Sequence, residues 1–257
     1  MPFKTIAGEE IFYSLSLAAA GGRNFVLIHG SGGDHSHWPE ALRASALADV
    51  YGLDLPAHGS SGGRSRTSVE DYADFVQAFV EQLNLKQVTL FGHSLGGAIA
   101  QILALRQPQW LSAIVLVGTG ARLRVAPAIL EALLADQPAT LDLLAQYAFD
   151  PSAPQALVGH IRTGFANTNH RITHGDYTAC DRFDIMDQVS RITLPTLIVS
   201  ATNDLLTPLK YGRYLHDNIP NSTLHLIENA GHMMALEKPR EFMEGVTAFF
   251  DNPANRI

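Results

Sequence analysis

In FGHSLGGAIA, residues 91–100, a serine stands with a glycine two positions before it and another two positions after it. A hydroxyl of ordinary acidity is a poor nucleophile. It needs a base to take its proton, a group to orient that base, and donors aimed at the oxyanion that attack creates. The small residues Gly92 and Gly96 allow a tight turn in which Ser94 adopts a strained backbone and projects its Oγ from a sheet edge. A helix starting at this point would direct free N–H groups toward the same reacting carbonyl. The pentapeptide also suits a strand-to-helix turn with no chemistry, so its partners decide between the two.

The elements that must hold such a serine are legible in the hydrophobic pattern. Upstream, QVTLFG reads as a strand, with Val88 and Leu90 alternating; downstream, AIAQILALRQ is helical and stops before Pro108. FKTIAGEEIFYSLSL reads as a hairpin around Ala7-Gly8-Glu9. FVLIH, residues 25–29, is a continuous apolar run and therefore a buried strand, followed by the Gly-rich loop HGSGGDHSH and a helix through HWPEALRASALA. ADVYGLDLP is the next strand. SVEDYADFVQAFVEQLNL is a periodic helix with Ser68 as N-cap and Asp71 at the capping-box position. LSAIVLVG, LPTLIVSA and STLHLIE read as further strands, with helices around PLKYGRYLHD and KPREFMEGVTAFF.

Between Thr119 and about Ser190 the strands vanish. Short helical pieces take their place: APAILEALLA, TLDLLAQYAF, PQALVGHIRTGFAN and GDYTACDRFDIMDQV, with Pro138, Pro151, Pro154 and Gly175 between them. Strands alternating with helices imply a mainly parallel α/β sheet with helices on both faces. The expected organisation is a core of residues 1–118 and 191–257, interrupted by a helical cap over 119–190.

Composition narrows the partners. The chain has 257 residues, 46% hydrophobic and 17% charged, enough for one large α/β domain. A formal net charge of −7 argues against a nucleic-acid or phosphate-binding role. One cysteine, Cys180, cannot form an intramolecular disulfide, which fits a reducing compartment. The first ten residues carry no secretory pattern and no run is long enough to span a bilayer, so a cytoplasmic location is expected.

G-x-S-x-G on a strand–turn–helix resembles the nucleophile elbow of the α/β-hydrolase family, and the resemblance extends over almost the whole chain. It implies the order nucleophile, acid, base. The acid is then Asp204 in SATNDLLTP and the base His232 in ENAGHMMALEKP, each just beyond a late strand. Some relatives carry the acid after the strand preceding the cap; here VGTGA holds no carboxylate there, which favours Asp204. The resemblance also assigns the oxyanion donors to the backbone N–H groups of Leu95 and of Ser31 in HGSGGD. His93 and Gly30 are candidates for lining the substrate pocket.

Several residues look chemical but have simpler readings. His29 shapes the oxyanion loop in such families. Asp54 holds backbone. His35 and His37, with Asp34 beside them, could suggest a metal site, but two histidines at i and i+2 in a loop lack a third ligand at a recognisable spacing, so no metal is expected. Gly30, Gly32 and Gly33 lack the spacing of a dinucleotide fingerprint, so no cofactor is expected. Cys180 reads as a small buried residue. Arg122, Arg124, Arg162, Arg171 and Arg182 could meet a substrate carboxylate, but such residues more often lie in solvent or in ion pairs.

The expected function is a serine hydrolase acting on a small to medium, moderately apolar carboxylic ester through an acyl-enzyme on Ser94. A serine at the elbow argues against epoxide hydrolase and haloalkane dehalogenase chemistry, which use an aspartate there. Lactonase, carbon–carbon bond hydrolase and perhydrolase chemistry keep the serine and stay open. A ligand-sensing receptor with slow turnover is the alternative from another class. The partner is a small-molecule ester or lactone, and monomer and homodimer are equally compatible with the sequence.

Overall fold

The structure, a computed structural model, describes residues 3–19, 22–135 and 138–255. The chain begins with the hairpin β1 (Phe3–Ile6) and β2 (Glu9–Ser16), turned at Ala7 and Gly8, which both take positive φ. Then come β3 (Asn24–Ile28), the short helix α1 (Glu40–Arg43), β4 (Asp49–Leu53), α2 (Val69–Gln82), β5 (Val88–His93), α3 (Leu95–Arg106) and β6 (Leu111–Val117). Four helices follow: α4 (Pro127–Leu134), α5 (Pro138–Ala148), α6 (Gln155–Asn167) and α7 (His170–Arg182). The chain then returns through β7 (Thr196–Ala201), α8 (Leu209–Asn218), β8 (Ser222–Ile227), α9 (Met234–Glu237) and α10 (Pro239–Asp251).

The strands form one eight-stranded sheet in the order β1-β2-β4-β3-β5-β6-β7-β8. β1, β2 and β4 pair antiparallel, and every pair from β4 onward is parallel. Both faces are covered, and β3 shows why its sequence is continuously apolar. Phe25 and Leu27 enter a core shared with Trp38, Phe91, Phe242 and Phe250 on the α10 side. Val26 and Ile28 enter the opposite core with Tyr72, Phe79 and Leu103 from α2 and α3. A strand with polar residues on either face would leave one layer unsealed.

α2 begins where its sequence says. Ser68 Oγ accepts the Asp71 N–H at 3.1 Å. The helix expected through HWPEALRASALA is much shorter. Only Glu40–Arg43 is α-helical, after a 3-10 turn at His35–His37. Pro39 sits at its start in extended geometry, and Ser45 Oγ accepts the Leu47 N–H at 3.2 Å, a local turn that competes with helix continuation. Gly175 is another correction: it lies inside α7 rather than between helices. α7 packs there against the loop after β4, and a Cβ at Gly175 would run into Ser65 Oγ and the Arg66 carbonyl. Asn169 caps α7 by accepting the Arg171 N–H at 3.0 Å, and the helix ends before Asp184.

The two ends of the helical segment between β6 and β7 are tied together. Arg122 and Asp184 form an antiparallel bridge, and the Ile185 N–H donates to the Ala121 carbonyl at 2.9 Å. No helix among the described residues is long and apolar enough to cross a membrane.

Candidate active site

Ser94 stands between β5 and α3 with φ 53° and ψ −114°, a strained combination for a non-glycine residue. Its neighbours explain how the chain is bent this far. A Cβ at Gly92 would overlap the backbone of Gly96 and Gly97, and one at Gly96 would overlap the Ile28 carbonyl of β3. The Ser94 N–H donates to the Val117 carbonyl at 2.9 Å. The Ser94 carbonyl accepts from the Gly97 N–H and from Thr119 Oγ1, both at 2.9 Å. The turn is thus locked from the adjacent strand and from the start of its own helix.

Asp204 and His232 meet beyond the ends of β7 and β8. His232 Nδ1 lies 2.9 Å from Asp204 Oδ2. The Asp204 carboxylate also accepts from the Leu206 N–H (2.9 Å), the Thr207 N–H (2.8 Å) and Thr207 Oγ1 (2.7 Å). Burial works to raise its pKa, but His232 and the Thr207 donors outweigh that and hold the group below the usual carboxylate range. The carboxylate therefore leaves Nδ1 as the protonated nitrogen and Nε2 as the available base.

The HGSGG loop faces Ser94 from the end of β3. His29 is fully buried; its Nδ1 donates to the Gly30 carbonyl at 2.8 Å and its Nε2 accepts the Leu55 N–H at 3.0 Å. Burial pushes its pKa down to about 4, so the ring is a neutral strut. The Gly30 carbonyl also accepts the Gly33 N–H at 3.1 Å. Among the described residues, neither the Ser31 N–H nor the Leu95 N–H donates to a protein acceptor. A Cβ at Gly30 would press on His93 Nδ1 and Ser94 Cβ, which is why the loop can approach the serine so closely.

His93 packs directly against His232. Its Nε2 lies 3.0 Å from the His232 carbonyl and its ring packs 4.6 Å from that of His232. Burial lowers its pKa to about 3, so it is neutral and Nε2 is the donor.

Gly30, Ser31, His93, Ser94 and His232 line one cavity of about 270 Å³. Its other walls come largely from the helical segment: Leu123, Val125, Ile129, Leu144, Tyr147, Ala148, Phe165 and Tyr177. Leu205, Leu206, Tyr211 and Met233 close the remaining side. Cys180 lines it too, with Sγ 3.7 Å from Ser31 Oγ; burial pushes the thiol up to about 12, which makes it inert.

Of the arginines considered from sequence, only Arg124 borders this cavity; it donates to the Asp181 carbonyl at 2.8 Å and lies 3.6 Å from Asp184. Arg122 also pairs with Asp184, and Arg162 with Asp142. Asp34, His35 and Asp54 each bring one ligand atom to within 4.8 Å of the others. Asp54 accepts from the His35 N–H and ring, and from the Ser60 N–H, while Asp34 accepts the Ser36 N–H.

Two supporting groups carried no sequence signal. Glu237 accepts the Asp150 N–H at 2.9 Å and the Gly231 N–H at 3.0 Å, bridging the end of α5 to the loop that carries His232. Asp176 on α7 accepts from Gly32, His58 and Tyr72. Their partners lie up to 144 positions away, beyond any local pattern.

An eight-stranded, mainly parallel sheet with this elbow and this loop order defines the α/β-hydrolase class. The profile of the alpha/beta hydrolase fold matches residues 23–239, and the chain belongs to that family. It is similar to a solved thermophilic esterase, 36% identical with a TM-score of 0.84 over 97% of this chain and 96% of that one. It is 28% identical to a pimeloyl-[acyl-carrier protein] methyl ester esterase of Neisseria meningitidis, over 86% of this chain and 93% of the relative. A structure described as Est816, an N-acyl homoserine lactone degrading enzyme, is 26% identical with a TM-score of 0.85, over 96% of this chain and all of that one.

Proposed function

We propose that this chain is a serine hydrolase that cleaves a small to medium, moderately apolar carboxylic ester. The observation that carries the proposal is the strained Ser94 sharing a cavity with His232, whose Nδ1 meets the buried Asp204 carboxylate. Ser94 Oγ attacks the carbonyl carbon while His232 Nε2 takes the hydroxyl proton. The N–H groups of Ser31 and Leu95 stabilise the oxyanion. As the tetrahedral intermediate collapses, the carbon–oxygen bond to the alcohol breaks and His232 returns the proton to the departing oxygen. Water then attacks the acyl-enzyme, again giving its proton to His232, and Ser94 recovers a proton as the acid leaves. Asp204 keeps the imidazole in the required tautomer throughout.

The helical segment 119–190 acts as a cap that forms the acyl pocket. Its Leu, Val, Ile and Phe side chains suit an uncharged substrate, and a cavity of about 270 Å³ suits a short one. Lactone hydrolysis by the same groups is the second reading, favoured by the likeness to the lactone-degrading enzyme.

The test is hydrolysis of p-nitrophenyl esters of increasing acyl length, wild type beside Ser94→Ala. Turnover that is best at short chains and absent in the variant is expected. A variant as active as wild type would remove Ser94 from the mechanism.

A further inference from the structure

A buried ionic cluster beside the cavity has no part in the chemistry described above. Asp176 reaches down from α7, wholly enclosed, as are His58 and Tyr72. Its Oδ2 accepts the Gly32 N–H and His58 Nε2, both at 2.8 Å, and its Oδ1 accepts Tyr72 Oη at 2.6 Å. Gly32, at φ 66°, follows Ser31 in the HGSGG loop. The Gly32 carbonyl in turn accepts Thr168 Oγ1, at the end of α6, at 3.1 Å. The loop is therefore gripped from two directions. His29 holds the Gly30 carbonyl from the sheet side, and Asp176 and Thr168 hold Gly32 from the helical segment. The peptide that presents the Ser31 N–H is the one whose carbonyl His29 holds, and the next peptide along is the one whose N–H Asp176 holds.

We propose that Asp176 is a positioning residue for the oxyanion loop, fixing Gly32 through a buried carboxylate that the His58 imidazolium neutralises. The proposal rests on the serine hydrolase reading, because it assigns Asp176 a task in holding the Ser31 donor.

The charge state follows from geometry. His58 Nε2 faces the Asp176 carboxylate, and His58 Nδ1 faces the Pro56 carbonyl at 3.0 Å. A carbonyl oxygen can only accept, so Nδ1 carries a proton, and facing an ionised carboxylate Nε2 carries the second. The other groups facing His58 are the neutral His29 ring, 5.0 Å away, the Tyr72 phenol and the buried Asp54. Burial opposes the charge on His58, but Asp176 outweighs it and raises its pKa. An apolar pair of similar volume could fill this space with equal or greater stability. It could not hold the Gly32 amide, which is the reason to look for a catalytic effect.

Two measurements test this. In Asp176→Asn, kcat on a p-nitrophenyl ester should fall about tenfold or more with KM within about threefold, since a misaligned oxyanion donor is felt in the transition state. The pre-steady-state burst corrects for the folded fraction. In wild type, nitrogen-15 NMR should find both His58 ring nitrogens protonated at neutral pH. The Gly32 amide shift should follow His58 as it loses a proton on the alkaline side. An Asp176→Asn enzyme with unchanged kcat would overturn the proposal. So would a His58 that titrates near the ordinary histidine value while the Gly32 amide stays still. If the variant does not fold, the NMR titration decides alone. If wild type hydrolyses no ester or lactone, the functional reading fails, and the same titration still reports whether the clamp exists.

Discussion

Ser94 concentrates the cost of the site in one residue. A non-glycine backbone at φ 53° and ψ −114° costs about 1–3 kcal/mol and persists only because the surroundings impose it. Ser94→Gly should therefore abolish hydrolysis yet raise the unfolding free energy by about 1 kcal/mol, read from urea titrations. A glycine variant less stable than wild type would mean that the turn is not strained. Asp204→Asn makes a contrasting case. The fold should survive, because the Leu206 and Thr207 N–H groups can still donate to Oδ1. Turnover should fall by about 10⁴, the scale expected when the imidazole loses its orienting anion. A fall of less than tenfold would move the role to another carboxylate.

At the scale of elements, the site depends on how the helical segment is fastened to the sheet. Glu237 receives N–H groups from Asp150 and from Gly231, next to His232. Burial raises its pKa despite those donors. Glu237→Ala leaves both N–H groups without this acceptor and should cost about 1–3 kcal/mol in urea unfolding. It should also lower kcat several-fold through the loosened His232 loop, while Glu237→Gln, which keeps one acceptor, should do less of both. Gly175 gives an inverted expectation. A glycine inside an exposed helix usually gains close to 1 kcal/mol on replacement by alanine. Here Gly175→Ala should lower the melting temperature, because the Arg66 carbonyl would stand 2.8 Å from the new Cβ. A rise in melting temperature would show that α7 can move away from this loop.

For the whole molecule, the buried histidines set the response to pH. His29, His37 and His93 are held neutral by burial, with pKa values near 4, 4 and 3. The unfolded chain binds protons on these residues from about pH 6.5 downward, where the folded chain does not. Stability must then rise with pH across the window from 4 to 6.5, with up to roughly 3 kcal/mol at stake for each histidine. Urea midpoints measured at half-unit steps should fall steeply below pH 6.5. A flat profile there would mean that the rings accept protons in the fold. Asp204, depressed below its ordinary value, adds a further loss at still lower pH. His58 acts with the opposite sign: the stability its raised pKa contributes is present below pH 6.5 and disappears as pH climbs through its folded value.

The sequence by itself determined the alternation of strands and helices and the turn at Ser94. It could do so because those features are local: a period of two or of 3.6, a capping serine three residues before its amide, a glycine where no Cβ fits. Asp204 and His232 became candidates only through the resemblance to the α/β-hydrolase family, and the fold brings these two side chains within 2.9 Å of each other. Some local patterns misled. HWPEALRASALA has helical periodicity, yet Ser45 turns the chain after Arg43, and Gly175 looks like a breaker but serves as a packing contact. Only the tertiary structure decided which polar residues hold the site in place. Asp176 meets Tyr72 and Gly32 across 104 and 144 positions, and Glu237 meets Asp150 across 87. Such partners share no period and no spacing. They are chosen by where the helical segment comes to rest on the sheet, and by the rule that a buried charge or backbone amide must find an opposite.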